Sequence, residues 1–387
     1  MPLHLVSIES NRTEPFYRRI HTIWCMDIAS WVDQVTERDW ATGVDGTLRF
    51  ALIGLGWWTV DVAIPAIEAA DHATTTVLVS SASENAKEVA AKHGIHTGIS
   101  YEAFHEGTAV REYDAIYIGT PNALHLEYAE TAASLGKAVL CEKPMEADAD
   151  RAEQLVSACE TEGVPLMIAY RMQTDPLTRR ARSLIRAGAI GDPVFAYGSN
   201  AQPLLEMNPD EDQWRLDPEL AGYGTSVMDL GIYPINTTRF LLDRDPIAAW
   251  SGMHSDHPAF SNVPDQWAAF TLTFEDDVLL VSTTSQHAQR DAQLSVTGTE
   301  GYLALDPAFH GEVGLTLKRG DATVRLEHDA IDVTREMTEE FDYFADRVLS
   351  DGSIHPDGRH GLRDMETIQA IHRSAETGEA VEIVSGD

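Results

Sequence analysis

Lysine is the scarcest charged residue in this chain. Five lysines (Lys87, Lys92, Lys137, Lys143 and Lys318) stand among 28 basic residues, which face 62 acidic ones for a formal net charge of −34. Such a surface repels nucleic acid and anionic membranes, which excludes both as partners held by charge. An acidic, lysine-poor surface suits concentrated salt instead, where a Debye length of about 3 Å at 1 M screens the self-repulsion. A halophile's enzyme is expected; the alternative, an acidic mesophilic protein, would keep its fold without molar KCl. Cysteine is nearly absent as well. Cys25, Cys141 and Cys159 make neither an even disulfide set nor a metal-ligand spacing, so a reducing cytoplasm is the simpler expectation. The histidines show no ligand spacing, and no metal is implied. No apolar run approaches the ~18 residues of a membrane span, and no charged start leads into an apolar secretion segment.

What is present is an ordinary globular composition, 43% hydrophobic over 387 residues, enough for two domains with full cores. The first 25 residues do not match it: Arg12, Arg18 and Arg19 outnumber Glu9 and Glu14, and a methionine, Met26, follows at once. Translation from Met26, with residues 1–25 an upstream misreading or a disordered tail, is the expectation. Residues 1–47 then form an N-terminal extension.

From Leu48 strands and helices alternate. Apolar strands are expected over 48–53, 75–79, 115–118, 138–141 and 165–169, with helices over 63–70, 84–93, 124–135 and 148–162 between them. This βαβ succession calls for a doubly wound parallel sheet, a dinucleotide-binding (Rossmann) domain over 48–170. The remainder, 171–387, changes character. After a helix over 175–187, β-rich runs at 265–274, 278–284, 293–297 and 314–317 follow one another, which means an open, mainly antiparallel sheet. Helices over 337–349 and 362–377 close the chain.

Four constellations carry chemistry. Gly54-x-Gly56 ends the first strand and opens a helix, so backbone amides can approach a pyrophosphate. Thr59 stands where a third glycine is usual, and Trp57 and Trp58 either wall a ligand cleft or join the core. At the end of the second strand, where an acid would select NAD, stand Ser80-Ser81-Ala82-Ser83 with Lys87 one turn on. Hydroxyls and an ammonium suit a 2'-phosphate, hence NADP with NAD possible at lower efficiency; a Ser-rich helix cap is the plain alternative. Thr120-Pro121-Asn122 and His125 lie at the same sheet edge, as lining of a nicotinamide channel or as helix caps. Finally Glu142-Lys143-Pro144 ends a buried strand where parallel sheets bind ligands, and Asp229 and Tyr233, four apart, share a helix face. Apart, these are a surface lysine and a structural pair; together they form an acid/base site.

The set Gly54-x-Gly56-Trp57, Thr120-Pro121-Asn122-x-x-His125, Glu142-Lys143-Pro144 and Asp229-x-Gly231-x-Tyr233 resembles the glucose-fructose oxidoreductase, inositol dehydrogenase and rhizopine catabolism superfamily. Val79-Ser80-Ser81-Ala82 and 170–176 look like its glucose-fructose oxidoreductase branch, and the acidic chain is similar to that branch's haloarchaeal D-xylose dehydrogenases. Tyr233 replaces the histidine of the inositol dehydrogenases, which moves the expected base from imidazole to phenol. The resemblance implies a cis Lys143–Pro144 peptide, Arg171 facing the ligand cleft, and a homo-dimer or homo-tetramer formed through the open sheet. It also implies NADP-dependent oxidation of an aldopyranose at C1 to the lactone, D-xylose foremost. Tyr233 would be the base, its phenol made more acidic by the Lys143 ammonium, and Asp229 would orient the sugar. Rivals are a dihydrodiol or other polyol dehydrogenase of the same fold, and a nucleotide-bound regulator, which has no need of Lys143 and Tyr233 together.

Overall fold

A computed structural model describes residues 4–10, 38–311, 313–327 and 332–383. The first described strand, β1 (His4–Ser10), belongs to the larger of two sheets. Met26 and the rest of the region around it lie outside the described residues. The smaller sheet follows from apolar runs that must be buried on both faces. It contains β2 (Leu48–Ile53), β3 (Ala73–Ser80), β4 (Thr97–Ser100), β5 (Ala115–Ile118), β6 (Ala138–Glu142) and β7 (Leu166–Ala169), all parallel, in the order β4-β3-β2-β5-β6-β7. The order reverses beside β2, which places a crevice between the carboxyl ends of β2 and β5. Of its members only β4 is not anticipated by the sequence: four residues with two hydroxyls form a strand because β3 supplies the pairing.

The larger sheet contains β8 (Pro193–Pro203), β9 (Pro246–His254), β10 (Trp267–Phe274), β11 (Leu279–Ser285), β12 (His287–Gly298), β13 (Gly301–Leu305), β14 (Gly314–Arg319), β15 (Ala322–Glu327) and β16 (Val381–Glu382) besides β1. Its order is β1-β15-β14-β13-β12-β8-β11-β10-β9-β16, antiparallel throughout except for the parallel pair β8 and β11. One face packs on helices Ile232–Leu242 and Gly358–Thr377. The other leaves Phe195, Tyr197, Trp250, Leu279 and Val281 exposed on neighbouring strands, where Tyr197 pairs with Val281.

Helix Val333–Leu349, late in the chain, returns to the first half. Its Met337, Phe341 and Phe344 join Phe50, Leu52 and Tyr117 in one buried cluster, and Phe341 meets Phe50 and Tyr117 edge-on. It is anchored there by Arg38, which bonds Glu339 and Asp342. This helix carries side chains from the end of the chain to the underside of the crevice. Among the described residues no helix is long and apolar enough to cross a membrane.

Candidate active site

The crevice begins at the glycine turn. Gly54 has φ +88°, a conformation that favours glycine, and a Cβ there would lie 2.8 Å from Thr120 Cγ2. A Cβ on Gly56 would meet nothing within 4 Å, so that backbone is open. The chain then enters a π turn, Thr59–Ala63. The hydroxyls of Thr59 and Thr120, both buried beside this turn, have no hydrogen-bond partner among the described residues. Trp57 is 58% exposed and stands edge-on to Trp58. At the end of β3, Ser80 is buried and accepts from Asn85, while Ser81 and Lys87 are exposed.

Next along the crevice, Pro121 leads into Asn122, which is buried and donates to the carbonyl of Ala221, tying this loop to the second half. His125 is wholly buried, its ring between the carbonyls of Thr120 and Met145. Both residues therefore hold loops in place rather than face the crevice. Glu142 likewise works inward: Oε1 accepts from Tyr117 Oη at 2.7 Å and from Trp58 Nε1 at 3.1 Å. It thereby pins the indole that flanks the glycine turn.

Lys143 follows, and its peptide bond to Pro144 is cis. The ammonium donates to Asp229 Oδ1 at 2.8 Å and to the Asp229 carbonyl at 3.0 Å, and lies 4.8 Å from the centre of the Tyr233 ring. Burial opposes its charge, but Asp229 and the other acidic neighbours prevail and hold Lys143 above its ordinary range. Asp229 is placed by a second π turn, Val227–Gly231, which runs into helix Ile232–Leu242 and brings Asp229 and Tyr233 to the same ammonium. Its other oxygen accepts from Arg215 Nε at 3.0 Å and Gln286 Nε2 at 2.9 Å. Burial alone would raise this carboxyl; Lys143 and Arg215 hold it well below the carboxylate range.

Tyr233 Oη accepts from Arg171 Nη2 at 2.9 Å. The Arg171 guanidinium lies between the rings of Trp58 and Tyr233 and also donates to the Phe309 carbonyl at 2.8 Å. It is 5% exposed, held by protein groups on the side away from the cleft. His310 completes the wall: Nδ1 lies 3.3 Å from Arg171 Nη2 and Nε2 lies 2.9 Å from Asn200 Oδ1, which fits a neutral ring donating to Asn200. Burial and then the charge of Arg171 push its pKa down to about 3. A small cavity opens beside the cluster, lined by Lys143, Arg171, Met172 and Tyr233 among others. Among the described residues no group of three or more His, Cys, Asp or Glu side chains could hold a metal ion.

Sequence reasoning misses Arg215, Gln286, His310, Asn200 and Tyr117. Tyr117 is the one with a signal, a phenol in a strand otherwise apolar. The other four come from loops and sheet strands whose register no local pattern gives.

The arrangement can take a proton at Tyr233 and stabilise an adjacent anion at Lys143, beside a crevice shaped for a dinucleotide. Residues 48–170 match the oxidoreductase family model with an NAD-binding Rossmann fold, and residues 178–304 match the GFO/IDH/MocA C-terminal domain. The chain is 48% identical to a D-xylose 1-dehydrogenase [NADP(+)] of Haloarcula marismortui, over 92% of this chain and 100% of that one. It is 33% identical to a D-xylose 1-dehydrogenase (NADP(+)) of Haloferax volcanii, over 87% and 100%. Among solved structures, aldose-aldose oxidoreductase from Caulobacter crescentus, complexed with glycerol, superposes with a TM-score of 0.79 at 29% identity, covering 87% of this chain and 99% of that one. With both domain models matched in order around one lysine–tyrosine centre, the chain belongs to the GFO/IDH/MocA oxidoreductase family.

Proposed function

We propose that this protein is an NADP-dependent sugar dehydrogenase that oxidises an aldopyranose at C1 to the lactone, D-xylose foremost. The observation that carries the reading is the convergence of Lys143, Asp229, Tyr233 and Arg171 at the carboxyl end of the dinucleotide sheet. The 48% identity to an NADP-dependent D-xylose dehydrogenase points to the same substrate.

The chain's own groups fit the cofactor. The open backbone at Gly56 and the orphaned hydroxyls of Thr59 and Thr120 suit a pyrophosphate, and exposed Ser81 and Lys87 suit a 2'-phosphate. When bound, NADP+ supplies the hydride acceptor. The protein must then take the C1 hydroxyl proton and stabilise the oxygen as it gains charge. Tyr233 Oη receives the proton. Arg171 already donates to that oxygen, so its direction is fixed and the phenolate form that accepts the proton faces a cation before the transfer, its charge passing to the C1 oxygen as the proton moves. Lys143 donates to the C1 oxygen. Asp229 serves chiefly to aim Lys143, since three side-chain donors, from Lys143, Arg215 and Gln286, already engage its carboxylate.

The exposed apolar face of β8, β11, β10 and β9 is broad enough to expect a partner, and a second copy of this chain suits it; light scattering in molar KCl reads the mass. The free, buried thiols of Cys141 and Cys159 suit a reducing cytoplasm.

The deciding assay is NADP+ reduction in molar KCl across D-xylose, L-arabinose, D-glucose and myo-inositol, with NAD+ in parallel. A preference for D-xylose with NADP+ is expected. Tight NADP+ binding without reduction by any sugar overturns the reading in favour of a diol substrate or a regulator.

A further inference from the structure

Helix Val333–Leu349 carries Glu336 and Glu340 four residues apart, both buried beneath the crevice, at 2% and 0% exposure. A carboxylate taken out of water needs a partner. Glu336 has one ion pair and one hydrogen bond. Its Oε2 lies 3.2 Å from Arg171 Nη1, a charge contact without hydrogen-bond alignment, and its Oε1 accepts from the Gly311 amide at 3.1 Å. Gly311 ends the same short segment whose Phe309 carbonyl and His310 ring meet Arg171 Nη2. One carboxylate thus grips the guanidinium and the loop that the guanidinium itself bonds.

We infer that Glu336 is a positioning residue for the reaction, fixing Arg171 and the loop 309–311 together and so fixing the Tyr233 oxygen that Arg171 contacts. The inference rests on Tyr233 being the proton acceptor. Glu340, one turn on, has no hydrogen-bond partner for either oxygen among the described residues. Burial, and then the charge of Glu142, pushes its pKa well above the usual range against the pull of Arg171, and so favours its neutral form. Burial raises Glu336 itself to about 7, opposed by Arg171 and reinforced by Asp175 and Asp332, with Glu340 the other acid facing it. Its paired, ionised form prevails above that pH. Without it, Arg171 loses the carboxylate that anchors Nη1, and its hold on the phenol loosens.

Glu336→Ala and Glu336→Gln are compared with the wild type at about pH 8.5, above the Glu336 value. D-xylose and its C1-deuterated form are oxidised with NADP+ in molar KCl, and NADP+ affinity is read by tryptophan fluorescence. In Glu336→Ala kcat should fall about ten- to hundredfold while the NADP+ Kd stays within about threefold, because the loss is of orientation rather than binding. The deuterium effect on kcat should rise as the chemical step slows. Glu336→Gln, which can still accept from Gly311, should recover part of the rate. An unchanged kcat overturns the inference; so does a joint fall of kcat, NADP+ affinity and cooperative unfolding with no change in the isotope effect, which marks a packing role. If the wild type oxidises no sugar, the functional reading has failed, and the inference is judged by the Cζ resonance of 13C-labelled Tyr233, assigned by its loss in Tyr233→Phe. A shift of that resonance in Glu336→Ala upholds the contact, and an unmoved resonance overturns it.

Discussion

Removing the Lys143 ammonium while keeping its bulk, as in Lys143→Met, separates the chemistry of the site from its architecture. Two losses are expected. The first is catalytic: the group that meets the C1 oxygen as it becomes anionic disappears, and a donor of that kind is worth a factor of about 10² to 10³ in turnover, roughly 3 to 4 kcal/mol of barrier. The second is structural. Asp229 is left partly buried with one oxygen bare, and breaking even a fully buried pair from one side costs about 3 to 5 kcal/mol where nothing else compensates. Here Arg215 at 3.0 Å and Gln286 at 2.9 Å remain on the other oxygen, so the stability loss should fall below that range. NADP+ affinity should change little, because the glycine turn, Ser81 and Lys87 lie elsewhere along the crevice. The assay is NADPH absorbance in molar KCl beside NADP+ fluorescence titration and urea unfolding of the same variant. Turnover within a few-fold of wild type, by a folded protein that binds NADP+, would remove Lys143 from the mechanism.

Tyr233→Phe keeps the ring against Lys143 but removes the oxygen that Arg171 bonds, so kcat should fall by about a hundredfold or more; turnover near that of the wild type points to another base. Ser81→Asp places a carboxylate at the exposed end of β3, where it accepts ribose hydroxyls and repels a 2'-phosphate, and the ratio of NADP+ to NAD+ kcat/KM should fall; no shift places the phosphate elsewhere. Burial pushes His372 down from 6.5 to about 3, so on acidification the unfolded chain takes up a proton that the folded one refuses. Between those values stability falls with falling pH by up to about 1.4 kcal/mol per unit for this group. His372→Gln should lose that share of the slope in urea unfolding at pH 6.5 and 4.5, and an identical slope refutes the assignment.

The first sheet is legible because its strands are continuous apolar runs: the expected 115–118 is β5 to the residue. Thr97–Ser100 is not, because nothing in those four residues distinguishes a strand from a loop until β3 pairs with them. Pro193–Pro203 is missed for a related reason. Its prolines and Gly198 read as loop, yet the segment sits between β12 and β11, and a Cβ at Gly198 would lie 2.7 Å from Pro234. At the site, what could be read were residues at strand ends and on one helix face, where topology dictates position: Gly54, Lys143, Asp229 and Tyr233. What could not be read were their partners. Glu336 lies 165 positions from Arg171 along the chain, and nothing local tells that carboxylate from the other acids of its helix. The resemblance placed Arg171 facing the cleft. The contacts give the reason it can stay beside it: a carboxylate, a carbonyl and a phenol hold the guanidinium from the protein side.

The scarcity of lysine and the chemistry of the site meet at one physical point. The chain's negative charge lies mostly on its surface, where salt at about 1 M, with a screening length of about 3 Å, suppresses the repulsion that would otherwise expand the fold. The proposed catalytic cluster is different in kind. Lys143 and Asp229, partly buried, are in contact at 2.8 Å, and Arg171 and Glu336, buried, at 3.2 Å, and pairs so placed are screened much less than surface charges. Salt therefore screens the charges that oppose folding and leaves almost untouched those that steer the proton. The buried cations each face an anion, so the site carries little of the net charge of −34. A surface altered for salt can in this way enclose a centre whose electrostatics are independent of it. The same separation makes an isolated lysine in a lysine-poor chain informative: on the surface its charge would be screened, whereas at the end of a buried strand it sits in contact with Asp229, where the proposed function places it against substrate.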